Sequence, residues 1–170
     1  MQLDLINPTL IGLFGESFGG AMALCHCARD KRIKALAIRS PVFDTEMVPT
    51  LPFFNDLMRI WARNKQMRFP QGNVNGMYKE QTSLYNPIKL APIINLPVFI
   101  VGGDSDKILS FDGFQRLYKK LGSNDKQIKI IKGANHNFTN KKNYDVMQEL
   151  VAEFFKKHLV NGQNETFSEN

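Results

Sequence analysis

Cysteine is scarce in this chain of 170 residues: there are two, Cys25 and Cys27. Two cannot build a disulfide framework, which fits a reducing compartment, and the cytoplasm is the expected location. Long apolar runs are missing as well. The longest, in Pro97–Val101, has the length of a strand and falls far short of the roughly 18 residues of a membrane span, so no membrane partner is expected. The start Met1-Gln2-Leu3-Asp4 lacks the basic residues of a signal peptide, and Glu16 interrupts the first apolar stretch. A strong charge bias is also lacking. The 22 Lys+Arg against 16 Asp+Glu leave +6, and the basic residues come in scattered pairs (Lys31-Arg32, Lys119-Lys120, Lys141-Lys142, Lys156-Lys157) without aromatic stacking positions beside them. Nucleic acid is therefore not an expected partner. Cys25-His26-Cys27 does not read as a metal site, because residues two apart on a helix point to different faces. Buried thiols are the simpler reading, and no metal or organic cofactor is expected.

What is present describes one globular domain. At 43% hydrophobic and 22% charged, residues 1–160 suit a single core, with 161–170 as a polar tail. Apolar strand-like runs at Thr9–Phe14, Ile33–Ile38, Pro97–Val101 and Lys126–Ile131 alternate with helical patterns at Gly19–Arg29, Phe111–Leu121 and Tyr144–Leu159. Strand and helix in alternation predict an α/β fold, a mostly parallel sheet of about four strands flanked by helices. The rhythm breaks at about 41–95, which is far longer than a crossover needs. Phe53, Phe54, Leu57, Met58 and Trp61 have helical spacing there, and a second short helix is expected around Met77–Leu84. The segment reads equally as a pair of edge helices or as a cap over a pocket, whose wall the stretch Phe53–Phe69 would supply.

Three clusters carry chemistry. Gly15-Glu16-Ser17-Phe18-Gly19 fits G-x-S-x-G where a strand gives way to a helix, a sharp turn that lifts a serine hydroxyl clear of the sheet; its glycines would permit close backbone approach. A serine nucleophile needs a base. His26 lies on the helix leading away from the turn and would pack or face solvent, while His158 reads as a solvated helix end. His136 follows the fourth strand, at the carboxyl edge where Ser17 must also lie. The base needs an acid, and Gly102-Gly103-Asp104-Ser105-Asp106 closes the third strand at that same edge, offering both Asp104 and Asp106.

The segments Ile11–Gly20, Pro97–Leu109 and Lys129–Phe138 resemble the nucleophile, acid and histidine segments of the α/β-hydrolase superfamily. The likeness is to esterases similar to prolyl-oligopeptidase-like and serine-aminopeptidase-like hydrolases. It implies that Asp106, which closes the G-x-x-D pattern Gly103-Asp104-Ser105-Asp106, is the acid and that Asp104 supports it. Arg39-Ser40-Pro41 resembles the turn after the second strand only weakly. The resemblance also implies several strands ahead of the nucleophile strand, yet about nine residues precede it here. The chain therefore reads as the carboxyl-terminal part of such a fold, with the Phe18 N–H as its one nameable oxyanion-hole donor. Its first strand would form a sheet edge, open to a homodimer or to pairing with another chain.

The expected function is a serine hydrolase that cleaves carboxylic esters through Ser17, His136 and Asp106, with a small-molecule ester or peptide as substrate. The alternatives are a peptidase, amidase or thioesterase of the same fold, and a non-catalytic remnant that acts by binding.

Overall fold

The computed structural model describes residues 7, 9–52, 54–64 and 83–160. Four strands form one parallel sheet: β1 (Ile11–Glu16), β2 (Ile33–Arg39), β3 (Val98–Gly103) and β4 (Lys126–Ile131), hydrogen-bonded in that order. The α-helices whose ranges lie within the described residues are α1 (Ser17–Cys27), α2 (Phe54–Arg63), α3 (Pro87–Leu90), α4 (Phe111–Lys120) and α5 (Lys141–Leu159). The α/β class, the four strands and their parallel direction all agree with the sequence reading.

Both faces of the two inner strands are buried, which is why their sequences run apolar without a polar face. On one side Leu36 and Ile38 of β2, with Val98 and Ile100 of β3, meet Ala21, Leu24 and Cys27 of α1 and Phe114 and Leu117 of α4. On the other, Ala35 and Ala37 of β2 leave room for Phe99 and Val101 to pack with Met147 and Phe154 of α5. The helices α4 and α5 start on side-chain caps that satisfy first-turn N–H groups: Ser110 accepts from Gly113 N at 3.2 Å, and Asn140 from Asn143 N at 3.3 Å. Among the described residues β1 is paired on one side only, and its Phe14 is 41% exposed.

The long segment after β2 begins with a 3-10 turn, Thr45–Thr50, against which α2 packs. Its two described ends are tied together. Asp44 Oδ1 accepts from Glu46 N at 3.0 Å and from Nδ2 of the buried Asn86 at 2.8 Å, while Asn86 Oδ1 caps α3 through Ile88 N. Lys89 pairs with Glu46 across the same gap. Phe54 is buried in the core beside Phe43 and Val48 rather than standing in a pocket wall. Phe53, residues 65–69 and the side chains of Leu57, Met58 and Trp61 lie outside the described residues, as do 77–82 of the second expected helix; Ser83 and Leu84 are helical. No helix among the described residues is long and apolar enough to cross a membrane.

Candidate active site

Ser17 is the first residue of α1 and sits directly after β1 with φ 51°. That left-handed backbone is unusual for a residue with a side chain and persists only where its surroundings impose it. One constraint is visible in Gly15. A Cβ there would lie 2.6 Å from the Gly19 carbonyl oxygen, so the turn closes only over glycine. Gly19 is different, since a Cβ on it would meet nothing within 4 Å among the described residues. The close-approach reason given for the motif's glycines thus holds for Gly15 but not for Gly19. The Ser17 carbonyl accepts from Val42 N at 3.0 Å, fixing the turn to the chain leaving β2. The N–H of Phe18 belongs to the first turn of α1, whose N–H groups point out of the helix end.

His136 lies in the loop between β4 and α5. Its Nε2 is 2.9 Å from Ser17 Oγ, and its Nδ1 is 2.9 Å from Asp106 Oδ2. The three residues singled out in the sequence thus meet at one point, although Ser17 and His136 are 119 positions apart. The Asp106 side chain is 0% exposed and that of His136 is 11% exposed. The other carboxylate oxygen of Asp106, Oδ1, accepts from the N–H groups of Ile108 and Leu109, each at 2.9 Å. Burial would raise the Asp106 pKa, but the hydrogen bonds from His136, Leu109 and Ile108 outweigh it and hold the group below its ordinary value. An ionised Asp106 can only accept, so His136 carries its proton on Nδ1 and leaves Nε2 to accept from the Ser17 hydroxyl.

Of the two acids left open by the residues alone, Asp104 has a separate task. Its Oδ1 accepts from Gly133 N at 2.6 Å, and its own N–H bonds to Ile131 O, so it anchors the start of the histidine loop. Gly133 has φ 73°, and Ser105 N bonds to Ala134 O at 3.1 Å, which seats the loop directly on the end of β3.

The remaining histidines stand apart. His26 is exposed on α1 and reaches Asp30 at 3.2 Å. The side chain of His158 is 9% exposed, not a solvated helix end, because its ring packs 4.6 Å from that of Phe154 one turn earlier; burial lowers its pKa. Cys25 and Cys27 are buried, and burial raises their pKa values to about 11 and about 12, so neither is a thiolate at neutral pH. Among the described residues no three His, Cys, Asp or Glu side chains gather as a metal site would require.

One residue beside the site went unweighted in the sequence. Arg39, in the weakly matching Arg39-Ser40-Pro41, turns a buried guanidinium toward the residues that flank Ser17 and His136. An arginine directly after the apolar run Ala35–Ile38 was the available signal.

A family model described as the prolyl oligopeptidase family matches residues 1–162. No curated protein sequence matches the chain. Among solved structures, the fold resembles the esterase domain of a Rhodothermus marinus protein (TM-score 0.66, 16% identity), covering 86% of this chain and 61% of that one. It also resembles a cold-adapted esterase from an Arctic intertidal metagenomic library (TM-score 0.57, 22% identity; 89% and 50%) and a Paleococcus ferrophilus monoacylglycerol lipase (TM-score 0.58, 21% identity; 85% and 67%). The chain spans about half to two thirds of the length of these structures.

Proposed function

Taking as premise that this chain belongs to the prolyl oligopeptidase family, within the α/β-hydrolase superfamily, we propose that it is a serine hydrolase acting on carboxylic esters. The observation that carries this reading is the continuous relay from Ser17 Oγ through His136 to Asp106, with both contacts at 2.9 Å. Hydrogen-bond reach from nucleophile to base and from base to orienting acid is the arrangement acyl transfer requires.

In this mechanism Ser17 Oγ attacks the carbonyl carbon as its proton passes to His136 Nε2. The carbonyl electrons move onto oxygen, where the Phe18 N–H at the start of α1 would donate to the oxyanion. Collapse expels the alcohol, which takes the proton from Nε2 and leaves an ester on Ser17. Water then repeats the sequence and releases the acid. Asp106 stays ionised throughout, keeping the proton on Nδ1 and stabilising the imidazolium that forms at each step.

The test is covalent. A fluorophosphonate should add once to the folded chain and not to Ser17→Ala, as read by intact mass. No adduct on a folded wild-type chain would refute the proposal and favour a remnant that acts by binding. Peptide-bond cleavage is the second reading, favoured by the family to which the chain belongs, whereas the fold neighbours named above are esterases and a lipase. Paired nitrophenyl ester and nitroanilide substrates separate the two, since an esterase site leaves the anilide intact.

A further inference from the structure

Arg39 ends β2 with a side chain only 7% exposed. Its face of the strand is otherwise small and apolar, with Ala35 and Ala37 below it. One nitrogen, Nη2, donates to Glu16 Oε2 at 2.5 Å, and the guanidinium carbon lies 5.2 Å from the centre of the Phe138 ring. The other two, Nε and Nη1, are buried with no acceptor among the described residues. A guanidinium whose two nitrogens, with three N–H groups between them, find no acceptor among the described residues is a poor stabiliser, and an apolar side chain of similar shape would fill the space at lower cost.

What the guanidinium does touch is informative. Glu16 immediately precedes Ser17, and Phe138 stands two residues after His136. Ser17 and Phe138 both hold left-handed backbone, at φ 51° and φ 52°, as does Ser40 next to Arg39, at φ 39°. Three such residues at one edge of the sheet need something to hold them there. In register, Arg39 pairs with Glu16 across the β1–β2 ladder, so its backbone is fixed to the strand that presents the nucleophile.

We infer that Arg39 is a positioning residue, which brackets the Ser17 turn through Glu16 and the His136 loop through Phe138 and so sets the distance between Oγ and Nε2. Neither contact is with Ser17, Asp106 or His136 itself. The inference rests on the hydrolase reading for its kinetic consequence, but not for its geometric one.

The experiment therefore has two readouts. Long-range proton–nitrogen spectra of the His136 ring report its tautomer, whether or not the chain turns over substrate, and fluorophosphonate labelling reports the competence of Ser17. In the wild type the Nδ1–H form should dominate. Arg39→Met should free the His136 loop, loosen the Nδ1 contact with Asp106 and so mix the tautomers, and should slow labelling about 100-fold, the scale of a misplacement near 1 Å. Arg39→Lys can pair with Glu16 but lacks the planar guanidinium set beside Phe138, and it should fall between the two. In a Phe138→Leu background the effect of Arg39→Met should shrink severalfold, because the second arm of the bracket is already gone. If Arg39→Met fails to fold, Arg39→Lys alone must still shift the tautomer. Unchanged tautomer and labelling rate in a folded variant, with only the melting temperature lowered, would overturn the inference. A tautomer shift without labelling in any form, wild type included, would uphold the bracket and refute the hydrolase reading.

Discussion

At the scale of single residues, the proposed chemistry depends most on which nitrogen of His136 holds the proton. Asp106 decides this, and its depressed pKa gives the sign of the pH dependence. The charge is present throughout the neutral range, and its contribution to stability is lost only as pH falls through the depressed folded value, below the ordinary carboxylate range. In Asp106→Asn the carboxamide oxygen can still accept from Ile108 and Leu109, which leaves its NH₂ facing His136 and drives the proton to Nε2. Ester hydrolysis should then fall about 10⁴-fold in kcat with little change in KM, the scale expected for a wrong tautomer. A loss below tenfold in steady-state assays would mean that Asp106 does not orient the base. That Ser17, Asp106 and His136 lie at one edge of the sheet was legible in the sequence because each comes within five residues of the end of a parallel strand. The burial of His158 was not, because its packing depends on the register of α5 against its own preceding turn rather than on the polar letters around it.

At the scale of elements, the four strands were legible from apolar runs, but their ends were not. Glycines that read as punctuation turned out to be strand residues. β3 continues through Gly102 and Gly103, and β1 through Gly15 to Glu16. The reason is lateral crowding, which no pattern along the chain reports. A Cβ on Gly102 would fall 2.6 Å from the Phe114 ring, and one on Gly103 would fall 2.0 Å from the carbonyl oxygen of Ala134. The second contact is with backbone two residues before His136, which cannot yield without moving the loop. Gly103→Ala should therefore lower stability by about 1–3 kcal/mol, as overpacking does, and should slow fluorophosphonate labelling as well. Denaturant midpoints alongside labelling rates would check both, and a variant that labels at the wild-type rate would show that the loop is not held by this contact.

At the scale of the whole molecule, the sheet is asymmetric. β2 and β3 are enclosed by helices, and both outer strands are paired on one side only among the described residues, but β4 carries Lys126, Gln127 and Lys129 whereas β1 is apolar with an exposed Phe14. Unpaired backbone donors and acceptors along such a strand are a template for another. The chain is expected to self-associate or to accept a strand there, with sedimentation coefficients that rise with concentration, and Phe14→Lys should weaken this. A concentration-independent monomer would refute it.

The strand order has a further consequence, for biogenesis. Because β1, β2, β3 and β4 neighbour one another in the order in which they are written, the sheet can extend by one strand at a time as the polypeptide leaves the ribosome. His136 follows Ser17 by 119 residues, a delay of roughly 6–24 s at ordinary elongation rates of about 5–20 residues per second. If Ser17 is the nucleophile proposed above, it lacks its base throughout that interval. On the proposed reading, latency during synthesis follows from the order of the strands, because His136 is translated after both Ser17 and Asp106.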